Sequence, residues 1–319
     1  MNATAAASPA ATPGRASQIA DHAPIDEAAL ESSLLNMHPG ATLTRGYHES
    51  LVNGEVRDLE WNAFDYWHRI YVHHTYNDAL QVFSGRHFSV NVTRWGRLPI
   101  FIQVANAWLG PGMFLQTMSV LGIIYLHQVV RLTQKGEQVL IQVNWYTASH
   151  WLLRWLHPFF NRRLLKLQRV QDAEDRQIRD QRYQMRKQGF RFATDDPDFL
   201  NSNRLTDHVI VPASMAAVRL PVASLPHGRI ERIELGCLPF LAKRDGDAIT
   251  IWPALCPHEG APMAQEHLCE GILQCPWHGR RHKGFELRPA EGQARWRFLG
   301  VTLELQGSDL VMTPDGPEG

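Results

Sequence analysis

The chain has 319 residues, with 32 Lys and Arg balanced by 32 Asp and Glu, so its formal charge is zero. That balance gives no argument for nucleic acid or a membrane surface as partner. A composition of 44% hydrophobic and 20% charged residues excludes wholesale disorder. Four cysteines are too few for a disulfide scaffold, and sixteen histidines are many. The length suggests two domains.

In chain order, residues 1 to about 25 are rich in Ala, Ser, Thr and Pro and are expected to form a disordered tail. They show no charged segment leading into an apolar one, so no secretory signal is expected and the cytoplasm is the default location. A short helix is predicted over Asp26 to Met37, ended by Pro39-Gly40. Asn53-Gly54 marks a tight turn. Trp61 to Leu80 is predicted to be helical at least in part. Strand-like runs follow: HFSVNVTRW, LPIFIQVANAW, MFLQTMSVLGIIYLHQVVRLTQ and EQVLIQVNWYT. A long helix is predicted from about His157 to Gly189. The region over 41–192 thus reads as α+β, with a hollow between helix and sheet for an apolar ligand. Residues 193–217 read as a connector. Short strands over 218–314 predict a small all-β domain, followed by a tail at 315–319. The most apolar stretch, Met113 to Val130, is broken by Gln116, His127 and Gln128, so no membrane span is expected.

The strongest signal lies in the all-β region. One loop reads Cys256-Pro257-His258-Glu259-Gly260 and the other Cys275-Pro276-Trp277-His278-Gly279. Each presents one thiolate and one imidazole between residues suited to tight turns. Finger-type zinc sites pair Cys with Cys and His with His, whereas here each loop mixes the two. Cys237 and Cys269 are expected as small core residues.

These loops resemble those of the Rieske family, and the resemblance covers roughly residues 208–315. It implies a [2Fe–2S] cluster with Cys256 and Cys275 on one iron and His258 and His278 on the other. Rieske proteins of respiratory complexes carry an extra cysteine in each loop. Here Ala261 and Trp277 take those positions, as in oxygenases and their ferredoxins.

A second cluster, Asp65 to His74, holds enough imidazole and carboxylate for a two-histidine, one-carboxylate Fe(II) site. On a straight helix His68 and His73 stand about 140° apart, so one metal requires a helix end between them. His74 competes with His73. On the wheel of the long helix, Glu174 and Asp175 both lie near the apolar face, and periodicity does not choose between them.

The resemblance to Rieske oxygenases extends to these residues. Asp65, His68 and His73 fit that family's Asp-x-x-His-x-x-x-x-His pattern, and its late acid selects Asp175. This implies a helix-grip-like catalytic domain with mononuclear Fe(II) on His68, His73 and Asp175, and Asp65 linking cluster to iron. It also implies O2 as co-substrate, an apolar organic substrate, and a reductase or ferredoxin passing electrons from NAD(P)H. A homotrimer is implied as well. The domain order departs from the family: here the Rieske region follows the catalytic motif. The rival expectation is a Rieske electron carrier fused to a ligand-binding domain without iron.

Overall fold

The computed structural model describes residues 27–36, 40–65, 68–73, 76–84, 88–95, 101–196, 206–225, 227–288 and 295–315. The expected N-terminal tail, Tyr66, Trp67 and His74 lie outside them. Two bodies pack against each other.

The first opens with α1 (Glu27–Leu35) and β1 (Ala41–Asn53), then α2 (Val56–Phe64) and a single turn, α3 (His68–Tyr71). Six strands follow: β2 (Tyr76–Ser84), β3 (Phe88–Trp95), β4 (Phe101–Gly110), β5 (Met113–Val120), β6 (Ile124–Lys135) and β7 (Gln138–His150). They form a 7-stranded antiparallel sheet in the order β1-β7-β6-β5-β4-β3-β2. A 3-10 turn, Trp151–Leu156, leads into α4 (His157–Lys187), which crosses the concave side. Its apolar stripe buries Phe160 and Leu164 against Val104, Met118, Leu126 and Val143 of the sheet. His157 fixes the start of this helix, contacting Thr44 Oγ1 at 2.8 Å through Nδ1 and Ser149 Oγ at 2.7 Å through Nε2.

Three differences from the sequence reading have physical causes. The run from Trp61 to Leu80 is not one helix: α2 stops at Phe64, and strand β2 begins at Tyr76. The run from Met113 is two strands, turning where Leu121 and Gly122 adopt positive φ. Strand β1 escaped notice because its burial alternates between half-buried and exposed, leaving little apolar period to read. The buried Glu60 carboxylate ties α2 to the β4–β5 turn, accepting from Gly112 N at 2.6 Å and Trp108 Nε1 at 3.0 Å.

The second body begins after a two-stranded ribbon of β8 (Arg191–Phe192) and β9 (Val209–Ile210), the latter inside the expected connector. One sheet runs β10-β20-β19-β18, from Val218–Pro221, Asp309–Pro314, Val301–Gln306 and Arg295–Phe298. Another runs β11-β12-β13-β17, from Glu231–Leu235, Leu238–Asp245, Ala248–Pro253 and Phe285–Leu287. Its core gathers Leu235, Phe240, Ile249, Leu303 and Met312. A third sheet, β14-β15-β16 (Leu268–Cys269, Ile272–Gln274, Arg281–Lys283), carries the second cysteine-histidine loop between β15 and β16, while the first follows β13. Cys237 is half-buried against Met215, and Cys269 is exposed at a hairpin end rather than in a core.

A separate apolar cluster joins the bodies. Trp61 of α2 and Ile178 of α4 pack with Trp252, Met263, Leu273 and Trp277 around the two cysteines. Trp61 is fully buried in this junction. Among the described residues, no helix is long and apolar enough to cross a membrane.

Candidate functional site: two metal-ligating clusters at the junction

Cys256, His258, Cys275 and His278 are all at most 1% exposed. The loops are tight turns: Gly260 N donates to Cys256 O and Gly279 N to Cys275 O, each at 2.9 Å. Both glycines have positive φ, and both are pressed by the first body. A Cβ at Gly260 would sit 2.5 Å from Met185 Sδ of α4, and one at Gly279 2.4 Å from the Tyr71 ring of α3. His258 Nδ1 and His278 Nδ1 face each other at 3.2 Å. The two thiols are coupled: a hydrogen bond from Cys256 draws the Cys275 thiol well below its ordinary value, while burial pushes Cys256 up. His282 Nε2 lies 3.6 Å from Cys256 Sγ, placing a ring N–H within reach of a thiolate. Two sulfurs and two Nδ1 atoms in a shielded pocket are the donor set a [2Fe–2S] cluster with mixed ligation needs.

Residues 217–295 match the family described as Rieske [2Fe-2S] domain. The second body is therefore a Rieske domain. Mouse and human proteins named "Apoptosis-inducing factor 3" are each 36% identical over 58 residues, covering 18% of this chain and 10% of the relative. The chain thus spans about a tenth of those relatives' length. Among solved structures, truncated norcoclaurine synthase from Thalictrum flavum aligns with a TM-score of 0.35 at 12% identity, over 43% of this chain and 94% of that one. Zhui aromatase/cyclase from Streptomyces sp. R1128 aligns at 0.29 and 12%, over 33% and 68%.

The second cluster lies across the junction. His278 Nε2, on the outward side of its ring, meets Asp65 Oδ2 at 2.5 Å, and the same oxygen lies 3.5 Å from His68 Nδ1. Burial opposes charge on Asp65, but the two imidazoles outweigh it and hold the carboxyl well below its usual range. Burial likewise disfavours the His278 cation, yet Asp65 and Cys275 hold it up at about 10. Beyond Asp65, His68 Nε2 and His73 Nε2 are 3.2 Å apart. Asp175 Oδ1 stands 3.6 Å from the first and 3.4 Å from the second. The helical-wheel conflict dissolves because α3 ends at Tyr71, so His73 turns back toward His68 from beyond the helix end.

Glu174 and Asp175 take different places. Glu174 Oε2 accepts from His73 Nδ1 at 2.8 Å, on the ring's far side. Asp175 Oδ2 accepts from Asn62 Nδ2 at 2.9 Å and Arg179 Nη2 at 3.1 Å. Its Oδ1 is buried with no hydrogen-bond partner. Adjacent ligands about 2.1 Å from one metal lie about 3.0 Å apart. The observed edges of 3.2, 3.4 and 3.6 Å fit one ion touching all three atoms.

Sequence reasoning missed the network beneath both clusters. Arg182 of α4 is fully buried. It donates to Asp58 Oδ1 at 2.8 Å, Glu259 Oε2 at 2.5 Å and Thr194 Oγ1 at 2.6 Å. Its guanidinium lies over the Trp61 and Phe192 rings at 4.2 and 3.7 Å. Glu259, beside cluster residue His258, also accepts from His208 Nδ1 at 2.6 Å. The available signal was the i, i+7 spacing of Asp175 and Arg182, which sets both on one helix face.

Two cavities lie between α4 and the sheet. The smaller, about 100 Å³, opens on this cluster and is floored by the cross-strand pair Gln116 and Gln128. The larger, about 350 Å³, lies over the next cross-strand pair, Met118 and Leu126, and is walled by Phe160 and Leu164.

Proposed function

We propose that the protein is a Rieske-type oxygenase that oxidises an apolar organic substrate. When bound, a [2Fe–2S] cluster would supply single electrons and a mononuclear Fe(II) would activate O2. Cys256, Cys275, His258 and His278 would hold the first, and His68, His73 and Asp175 the second.

The observation that carries the reading is the convergence of three donor atoms with their other sides occupied. In this reading the His73 proton sits on Nδ1, 2.8 Å from Glu174, and the His68 proton on Nδ1, facing Asp65 at 3.5 Å. Both Nε2 lone pairs then point at one another and at Asp175 Oδ1, an arrangement that repels itself until a cation sits between them. Asn62 and Arg179 occupy Asp175 Oδ2, leaving Oδ1 as the ligand atom. Glu174 is the carboxylate behind His73 rather than a competing ligand.

Asp65 would link the two centres within one chain despite the reversed domain order, its Oδ2 lying 2.5 Å from His278 Nε2 and 3.5 Å from His68 Nδ1. The apolar cluster around Trp61 and Trp277 keeps water from this path. The cavity beside the ligands offers the substrate a polar floor of Gln116 and Gln128 and apolar walls of Phe114, Val130 and Val143. Electrons would come from NAD(P)H through a separate reductase or ferredoxin.

The test is iron and acid-labile sulfide on anaerobically purified protein. About three irons per two sulfides is expected, falling to about two in Asp175→Ala with the cluster spectrum unchanged. About two irons in the parent protein after Fe(II) is restored would replace the oxygenase with an electron carrier.

A further inference from the structure

The chain is neutral overall, but the start of α4 is not. From His150 to Gln171 there is no Asp or Glu, while Arg154, Arg162, Arg163, Lys166 and Arg169 are all exposed. The same segment carries the most exposed aromatic side chain in the described structure, Trp155 at 74%, with Trp151 at 58%, Leu152 at 57% and Phe159 at 48%. These groups are not loose. Trp151 N donates to Gly40 O at 2.9 Å, and His157 is tied through both ring nitrogens to Thr44 and Ser149. The backbone therefore presents indole and phenyl rings rigidly to the outside, flanked by cations.

We infer that this surface docks on a bilayer carrying anionic phospholipid. Indole rings favour the headgroup boundary, where an apolar face and a polar N–H are both accommodated. Arg and Lys flanking them meet lipid phosphate, each adding about fivefold to binding at an anionic surface. A two-fold contact with a second copy of this chain fits less well, because it would bring two sets of these cations together. The larger, apolar cavity under α4 is bounded by Arg163 and Lys166 of the same helix segment. Docking would set that compartment beside the lipid, giving a lipophilic molecule a short route from bilayer to protein. The inference goes beyond the oxygenase reading and does not rest on it.

The experiment is co-sedimentation of the full-length, cluster-loaded protein with vesicles of phosphatidylcholine alone or with one-third phosphatidylserine, with tryptophan fluorescence read in parallel. The expected result is binding to the anionic vesicles with a blue shift, weakened by salt. Binding should be lost in W151S/W155S and reduced about 25-fold in R162Q/R163Q, with the visible circular dichroism of the cluster unchanged in both. Absence of binding, or equal binding by W151S/W155S, overturns the inference. So does light scattering that shows an oligomer dissociated by W151S/W155S in a protein that ignores vesicles, which would make the patch an interface between copies.

Discussion

Replacing Arg182 with Met tests how strongly the two bodies are joined. The guanidinium is the shared cation of Asp58 on α2 and Glu259 in a cluster loop, and all three side chains are at most 1% exposed. Asp58 would keep Arg186, whose Nε and Nη2 donate to it at 2.8 Å each. Glu259 would keep His208 at 2.6 Å but lose its guanidinium partner. Methionine preserves much of the packing between Trp61 and Phe192, so the loss is chiefly electrostatic. Removing one partner of a buried ion pair destabilises by about 3–5 kcal/mol. Because Asp58 retains a guanidinium and Glu259 only the His208 imidazole, most of that falls on the cluster loop. Guanidinium titration should be followed by tryptophan fluorescence and by the visible circular dichroism of the cluster. In the parent protein the two signals should change together, whereas in Arg182→Met the cluster signal should fail first, at lower denaturant. Arg182→Lys keeps the charge but not the three-way fork and should fall between them. A loss below about 1 kcal/mol with the two signals still coincident would refute the assignment of Arg182 as the joint.

Asp65→Asn removes a buried negative charge beside His278 while keeping an acceptor. Reduction adds negative charge to a cluster, so its midpoint potential should rise. A change of about 1.4 kcal/mol in the hydrogen bond between redox states corresponds to about 59 mV, and an unchanged potential in spectroelectrochemical titration would sink the coupling. Gly279→Ala drives a methyl group into the Tyr71 ring at a positive φ. It should lower stability, and Tyr71→Ala should recover the steric part but not the roughly 1–2 kcal/mol of backbone strain, as double-mutant unfolding would show. The Asp58 carboxyl is pushed up by burial, but Arg182 and Arg186 more than reverse this and hold it below 3.8. Its folded value is thus the lower one, so its contribution is complete above the unfolded value and lost as pH falls through the folded one. Stability measured from pH 5 down to pH 2 should therefore decline less steeply in Asp58→Asn.

The cluster loops were legible because their information is local: four ligands in two short turns, with glycines where the chain must bend. The same holds for α4, whose stripe of Leu164, Ile178 and Met185 repeats at helical spacing. The cluster of His68, His73 and Asp175 was only half legible. His68 and His73 diverge on any continuous helix, and nothing in residues 68–73 announces that α3 stops after one turn. Glu174 and Asp175 could not be separated by periodicity, since adjacent helical residues differ by about 100° and both touch the site. The partners that separate them, His73 for one and Asn62 with Arg179 for the other, are tertiary. Trp61 shows a related limit: an aromatic residue suits a ligand hollow and a domain junction equally well, and only its neighbours distinguish the two.

The contact between Asp65 and His278 spans 213 positions of chain, and that span orders the birth of the molecule. During synthesis the sheet, α2 and α4 leave the ribosome first. Until the last third of the chain arrives, Asp58 has only cations of α4 around it, Trp61 and Ile178 lack their Rieske-side cover, and Asp65 waits without its imidazole. The first body is therefore born with an open flank that the second must close. Closing that flank also buries Cys256, His258, Cys275 and His278, so the order of synthesis leaves the ligand loops open until the two bodies dock.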